Sequence, residues 1–386
     1  RKQIETFEPG SFQKFKKYIQ EGYGFFNLAM NDLLGKNFYH LFQFVTLRNV
    51  GLLIKLKAWI RHTSYIERYF NSPYLRMAFT FQNIYVGQNP YEAPAFFSML
   101  PGVEITEGAL FPKGGMHRIV EKLIETATGL GVQFQYKKPV TRIIVGRDRA
   151  EGVQLKDGTV IKADLVVANA DLPYVYRKLL PEKRKADSLK RRKYSCSAIV
   201  FHWGVDRVYQ QLNHHNVFLN DPYKEGLDKI FKERSLSGNP SFYVHAPVRS
   251  DQSAAPENQD TLSVIIPVPH ADKKYDQDWE CLKQKARAGV IRRLKKAGLE
   301  DLENHIKFEI CYLPQTWEKI CNVAKGSVFG SLRHSIFQMG YFRPHNRHKK
   351  YLNLYFTGGS THPGNGIPLV LLSAQLTTER IAKECF

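Results

Sequence analysis

Residues 353–375 read NLYFTGGSTHPGNGIPLVLLSAQ. Leu354, Tyr355 and Phe356 form a short apolar run of strand character. Gly358, Gly359, Gly364 and Gly366 follow, with Pro363 and Pro368 stiffening the turn. Leu369, Leu372 and Leu376 then recur at helical spacing. A strand, a glycine-rich turn and a helix starting near Pro368 can receive the phosphate and sugar of a nucleotide. The helix N-terminus presents free N–H groups and the positive end of its dipole. Ser360, Thr361 and His362 are placed to donate hydrogen bonds there. An ordinary strand–loop–helix connection is the competing reading of the same pattern.

Working outward, residues 131–170 take a period of two. VQFQY (132–136) alternates, PVTRIIV and EGVQL follow, and Asp157-Gly158 signals a hairpin. ADLVVANA (163–170) reads as a buried strand. A helix from about Met116 to Leu130 precedes them, so the order resembles the lower half of a dinucleotide-binding domain. Residues 10–82 read as helical and aromatic-rich, and Pro90 and Pro94 end that region. Residues 194–335 mix strands (SAIVFHWGV, SFYVHAPV, TLSVIIPVP) with a helix near 278–298.

The length of 386 residues is enough for two domains, and 43% hydrophobic content excludes a disordered chain. The net charge of +20 suits nucleic acid, anionic lipid or an acidic partner. No nucleic-acid-binding motif accompanies it, so nucleic acid is not expected. KFKKY, KRKADSLKRRK and FRPHNRHKK are candidates to rest on anionic lipid, with plain solvated charge as the competing reading. Five scattered cysteines without a CxxC indicate neither a metal site nor a disulfide framework, and a reducing compartment is the default. No apolar run reaches the ~18 residues of a membrane span. The nearest, LFQFVTLRNVGLLIKLKAWI, is interrupted by Arg48, Lys55 and Lys57 and reads as an amphipathic or core helix. The chain starts at Arg1 with no signal peptide, and reads as a fragment lacking an N-terminal piece.

The opening segment has the form N-x-aromatic-apolar-x-G-G-S-T-H-P-G-x-G-apolar, with Asn353, Tyr355, Phe356, Pro363, Ile367 and Ser373 in register. With it, the chain resembles the phytoene desaturases of bacterial and fungal type, most closely the fungal branch. These are flavoproteins of carotenoid synthesis. Asn365 departs from the family, which has a smaller residue there. EGALFPKGGMHRIVEKL resembles the segment that approaches the flavin ring, and YKKPVTRIIV the strand whose valine, here Val140, meets adenine through its backbone.

The resemblance implies an α/β fold: a Rossmann-like FAD-binding domain of the amine-oxidase and glutathione-reductase type, here incomplete. A mixed α+β substrate domain and a helical membrane-facing region interleave with it. The expected bounds are 1–103 for the helical region, 104–180 for part of the FAD domain, 181–340 for the substrate domain and 341–386 for the C-terminal FAD segment. The implied activity is oxidation of CH–CH bonds in an apolar C40 polyene such as phytoene, towards lycopene-type products, at a membrane surface. FAD is the cofactor, with quinone, oxygen or NAD as electron acceptor, and a homo-oligomer is allowed. Cofactor contacts are expected at Gly114, Gly115, Val140, Gly358, Gly359, Ser360, Thr361, Gly364, Gly366, Ile367 and Pro368.

The catalytic base stays open among Glu92, Glu107, Asp171 and His362, while Lys113 is a candidate to stabilise reduced flavin. Each has a bland alternative: Asp171 as an N-cap, Glu92 as a turn residue, His362 as a loop donor. Arg249 and Asp251 read as an ion pair near the channel or, by preference, a surface pair. The aromatics of 65–97 are candidates to line a substrate channel or simply to form core. Two competing readings are a related polyene enzyme (squalene or apocarotenoid desaturase, or carotenoid isomerase) and an inactive flavin-fold protein at a membrane surface. The chain contains no G-x-G-x-x-G match for the FAD pyrophosphate. The 386-residue chain is therefore expected to purify with little flavin, and stoichiometric flavin absorbance in the pure chain would contradict this.

Overall fold

The computed structural model describes residues 1–386 apart from positions 273, 276, 336 and 337. Its strands are β1 (Val140–Val145), β2 (Ala150–Leu155), β3 (Val160–Lys162), β4 (Val166–Ala168), β5 (Ser197–Val205), β6 (His215–Phe218), β7 (Phe242–His245), β8 (Asp260–Val268), β9 (Ile306–Tyr312) and β10 (Leu354–Phe356). Its helices include α1 (Phe12–Ala29), α2 (Leu41–Phe44), α3 (Leu47–Lys55), α4 (Met99–Glu107), α5 (His117–Gly129), α6 (Lys183–Lys190), α7 (Trp279–Lys296) and α8 (Ile367–Cys385). Among the described residues, no helix is long and apolar enough to cross a membrane.

Two compact units form. One comprises Arg1–Gly108, Lys138–Ser195 and Glu318–Phe386, the other Ala109–Lys137 and Cys196–Trp317. These divisions differ from the bounds read in the sequence. Residues 109–137 join the second unit because Phe111 packs against His214 and His245, with ring centroids 4.9 and 5.4 Å away. The Gly114 N–H also donates to Asp251 there (2.5 Å).

The first unit has an aromatic helical core. Tyr18 of α1 lies among Tyr65, Tyr69, Phe70 and Phe79, all buried. Within this cluster the Tyr18 hydroxyl meets His62 Nε2 (2.8 Å), and His62 Nδ1 meets Asn83 (2.7 Å). The 65–97 aromatics thus pack largely on one another, although Tyr74 and Tyr85 are exposed. The same unit holds the antiparallel sheet β1-β2-β3, closed at Asp157-Gly158 as expected, and the parallel pair β4-β10.

The second unit is a five-stranded antiparallel sheet, in the order β6-β7-β8-β5-β9. β5 runs between β8 and β9, and every residue of it but His202 is buried. Phe201, Trp203, Val264 and Ile266 share a core with Val290, Ile291 and Leu294 of α7. The apolar runs at 197–205 and 261–268 therefore became central strands, as their composition predicts.

Two expected strands differ. VQFQY forms none, and its side chains are exposed, because no described strand lies beside it to complete a ladder. ADLVVANA yields only the three residues of β4, with Val167 exposed, since β4 is paired on one edge alone.

Helices α1 and α4 cross at two glycines. A Cβ on Gly102 would lie 2.5 Å from the Tyr23 nitrogen and 2.6 Å from the Gly22 carbonyl carbon. Backbone cannot yield as a flexible side chain does, so Gly102→Ala is expected to cost about 1–3 kcal/mol. Urea unfolding measures it, and a midpoint equal to wild type would show that the helices separate freely.

Candidate cofactor-binding site

β10 is wholly buried and sets Leu354, Tyr355 and Phe356 beside Val166, Val167 and Ala168 of β4. Asn353 pins its start: the side-chain amide donates to Ala150 O (2.8 Å) and Asp164 O (2.6 Å) and accepts from the Ala150 N–H (2.7 Å). The chain then turns at Gly358, where φ is +107° and a Cβ would sit 2.8 Å from Asn169 Oδ1. Only glycine fits there.

Two residues gather the turn. Ser373 of α8 accepts from the Gly358 N–H (3.2 Å) and from Asn346 (3.1 Å), and lies 3.2 Å from Thr361 Oγ1. Arg343 is 1% exposed and donates to Thr361 O (2.8 Å), Gly359 O (2.5 Å), Leu332 O (3.4 Å) and Gln338 O (3.3 Å). Burial pulls its guanidinium down to about 10, so it stays charged at neutral pH.

Ser360, Thr361 and His362 each bond within the protein. All three are buried. Ser360 Oγ accepts from the Leu172 N–H (2.8 Å), Thr361 Oγ1 donates to Gly358 O (2.9 Å), and His362 Nε2 donates to Lys36 O (3.0 Å). A buried polar group must find a partner, and here the backbone is within reach. Burial lowers His362 to about 4, so its ring is neutral and serves as a loop donor.

The surface that can meet an anion is the backbone further on. Gly366 has φ +93° and open space where a Cβ would point, and Ile367 and Pro368 are exposed. The Val370 N–H makes the first helical bond, to Gly366 O (2.9 Å). The N–H groups of Ile367 and Leu369 have no partner among the described residues. Pro368 lacks an N–H at a position where none is needed. Buried atoms left unpaired in or beside the turn include Asn365 Oδ1, His362 Nδ1 and both ring nitrogens of His334. Each costs about 1–3 kcal/mol if nothing meets it. Open N–H groups at a helix start and unsatisfied polar atoms around a glycine cradle fit the phosphate, sugar and ring atoms of FAD.

The family described as flavin containing amine oxidoreductase matches residues 57–382. The chain belongs to that family. A zeta-carotene-forming phytoene desaturase of Myxococcus xanthus is 40% identical over 384 residues, covering 98% of this chain and 73% of the relative. A phytoene desaturase of Fusarium fujikuroi is 37% identical over 397 residues (97% and 69%). A 4,4'-diapophytoene desaturase of a Methylomonas species is 33% identical over 379 residues (96% and 72%). The bacterial Myxococcus protein exceeds the fungal one in identity, so the likeness is not confined to the fungal branch. Among solved structures, an oxidoreductase of Methanosarcina mazei aligns with TM-score 0.58 at 16% identity (87% of this chain, 74% of that one). An engineered putrescine oxidase aligns with TM-score 0.58 at 13% identity (97% and 76%). The fold is the α/β fold of these flavin enzymes, and the chain is an oxidoreductase acting on CH–CH bonds with FAD as cofactor.

The remaining candidates divide. Asp171 lies at the turn, accepting from the Ala324 N–H (2.9 Å) and bonding Ser360, with its carboxyl pushed up chiefly by burial. It stands at the N-cap position of the short helix Leu172–Tyr174, as the N-cap reading has it, but its side chain makes no capping bond. Glu92 pairs with Arg333 (2.9 Å), and Glu107 accepts from Tyr23 (2.8 Å). Val140 opens the edge strand β1 opposite Leu155. Lys113, Gly114 and Gly115 form a turn in the second unit, with φ +83° and +90° at the glycines. Asp251 holds that turn rather than pairing with Arg249, which bonds the buried Asp260 instead.

Reading the sequence missed Arg343 and His334. In FRPHNRHKK, a candidate lipid-facing run, Arg343, Asn346 and His348 are buried. The Phe-Arg-Pro context, a cation between an aromatic and a proline, was the available signal. Arg343→Lys keeps the charge but loses the planar fork, leaving carbonyls unpaired. It is expected to cost about 2–4 kcal/mol in unfolding stability, and an unchanged denaturation midpoint would refute the role given to Arg343.

Proposed function

We propose that this protein desaturates phytoene or a closely similar C40 polyene in carotenoid biosynthesis, at a membrane surface. The observation that carries the reading is the turn at 358–366, built as the signature requires, in a chain whose relatives over nearly its full length are named phytoene desaturases. FAD, when bound, supplies the two-electron oxidant. The backbone of Gly358, Gly359, Gly364, Gly366, Ile367 and Pro368 holds its phosphate and sugar, and Val140 on the free edge of β1 meets the adenine. Ser360 and Thr361 serve by shaping the turn. The electrons pass on to quinone, oxygen or NAD. The product is a more conjugated polyene, zeta-carotene or a lycopene-type compound. Diapophytoene is the second substrate reading, favoured by the Methylomonas relative.

An apolar polyene is drawn from lipid, and the first unit has a surface suited to it. Leu41, Phe42, Val45, Leu47, Val50, Ile54 and Trp59, on and beside α2 and α3, are all exposed. Arg48 and Lys55 lie among them, exposed as well. Apolar side chains interleaved with cations suit the boundary between acyl chains and anionic headgroups.

Expression of the native enzyme in phytoene-producing bacteria tests both parts. Extracted pigment is expected to be coloured, and unchanged phytoene would reject the substrate assignment. The enzyme is expected to sediment with membranes, and the double variant Leu47→Asp, Ile54→Asp to shift to the soluble fraction. If both forms fractionate alike, this surface is not the lipid contact.

A further inference from the structure

The bases suggested by the sequence are engaged. Glu92 pairs with Arg333 (2.9 Å), Asp171 accepts from the Ala324 N–H (2.9 Å), and His362 donates to Lys36 O (3.0 Å). His334 is not engaged. It is 7% exposed, and neither ring nitrogen has a hydrogen-bond partner among the described residues. Its ring stands edge-on to Phe97, with centroids 6.4 Å apart and planes at 68°. Its Nε2 lies against Gly364, in the space a Cβ there would occupy. The signature glycine therefore makes room for an imidazole.

Structural histidines in this protein look different. His62 uses both nitrogens, on Tyr18 and Asn83, and His362 uses Nε2 on Lys36 O while its Nδ1 is unpaired, whereas His334 uses neither. Burial, reinforced by the charge of Arg343, holds His334 well below the ordinary histidine range. Its ring is thus neutral at physiological pH and has a free lone pair beside the cofactor turn.

We propose that His334 is the catalytic residue that takes the proton lost in desaturation. The proposal rests on the desaturase reading above. Two C–H bonds of the saturated unit break. The hydrogen of the first leaves with both bonding electrons, and FAD is the oxidant. The electrons of the second become the new π bond, and its proton goes to a ring nitrogen of His334 and from there to water. A weak base is sufficient, because a carbon framework that has lost a hydrogen with its electron pair makes the neighbouring C–H strongly acidic.

The test is His334→Leu, with His334→Gln as a polar control, in the native flavin-loaded enzyme and in its apoprotein. Removing unpaired buried nitrogens stabilises a fold, so the apoprotein of His334→Leu is expected to unfold at a midpoint equal to wild type or about 2–4 °C higher. Both variants are expected to lose roughly 100-fold or more in kcat, with KM little changed and partial rescue by added imidazole. A lowered midpoint in His334→Leu would mark a structural residue, and a loss of less than about tenfold in kcat would equally overturn the proposal. The assay uses whichever polyene the wild-type enzyme turns over. A wrong substrate assignment therefore shows in the wild type, and a wrong assignment of His334 only in the variants.

Discussion

Arg343 is a cation with almost no exposure whose donors go to backbone carbonyls alone: those of Leu332, Gln338, Gly359 and Thr361. Burying such a charge costs several kcal/mol unless its donors are met. Four carbonyls from two chain segments meet them. The arrangement ties residues 332–343 to the glycine-rich turn, and the turn cannot open without exposing both the charge and the carbonyls. Ser373 closes the opposite side through Gly358, Thr361 and Asn346. The shape of the cofactor site follows from this clamp more than from the glycines, which only permit it.

The clamp also explains the departure at Asn365. Asn365 donates to the Phe329 carbonyl and packs against Gly330, where a Cβ would lie 2.5 Å from the Asn365 Cβ. The turn is thus tied to the 329–334 segment at one end and to Arg343 at the other. His334 sits between these ties, which fixes its ring without using its nitrogens.

Much of the fold was legible in the sequence because its signals are local. The runs at 197–205 and 354–356 became strands, and Asp157-Gly158 became the hairpin turn. The helix expected from about Met116 runs from His117 to Gly129, and that expected near 278 runs from Trp279 to Lys296. VQFQY failed because alternation describes one strand, while a sheet needs a second beside it. Ser360, Thr361 and His362 bond the protein backbone for a related reason. A hydroxyl in a turn sequence is as ready to bond its own backbone as a ligand, and only packing decides which is nearer.

The sequence by itself determined the family, the FAD chemistry and the location of the turn, since these depend on residue types at fixed spacing along the chain. It also set the apolar–basic character of residues 41–59. Only the tertiary structure decided which polar groups are free to act. Asp171, Glu92 and His362 are engaged with Ala324, Arg333 and Lys36, which lie 153, 241 and 326 positions away in the chain. His334 has no hydrogen-bond partner on either ring nitrogen among the described residues, although nothing in its neighbourhood along the chain marks it. Whether a side chain has a partner depends on contacts between distant segments, and burial then fixes its charge. Neither is written in local order.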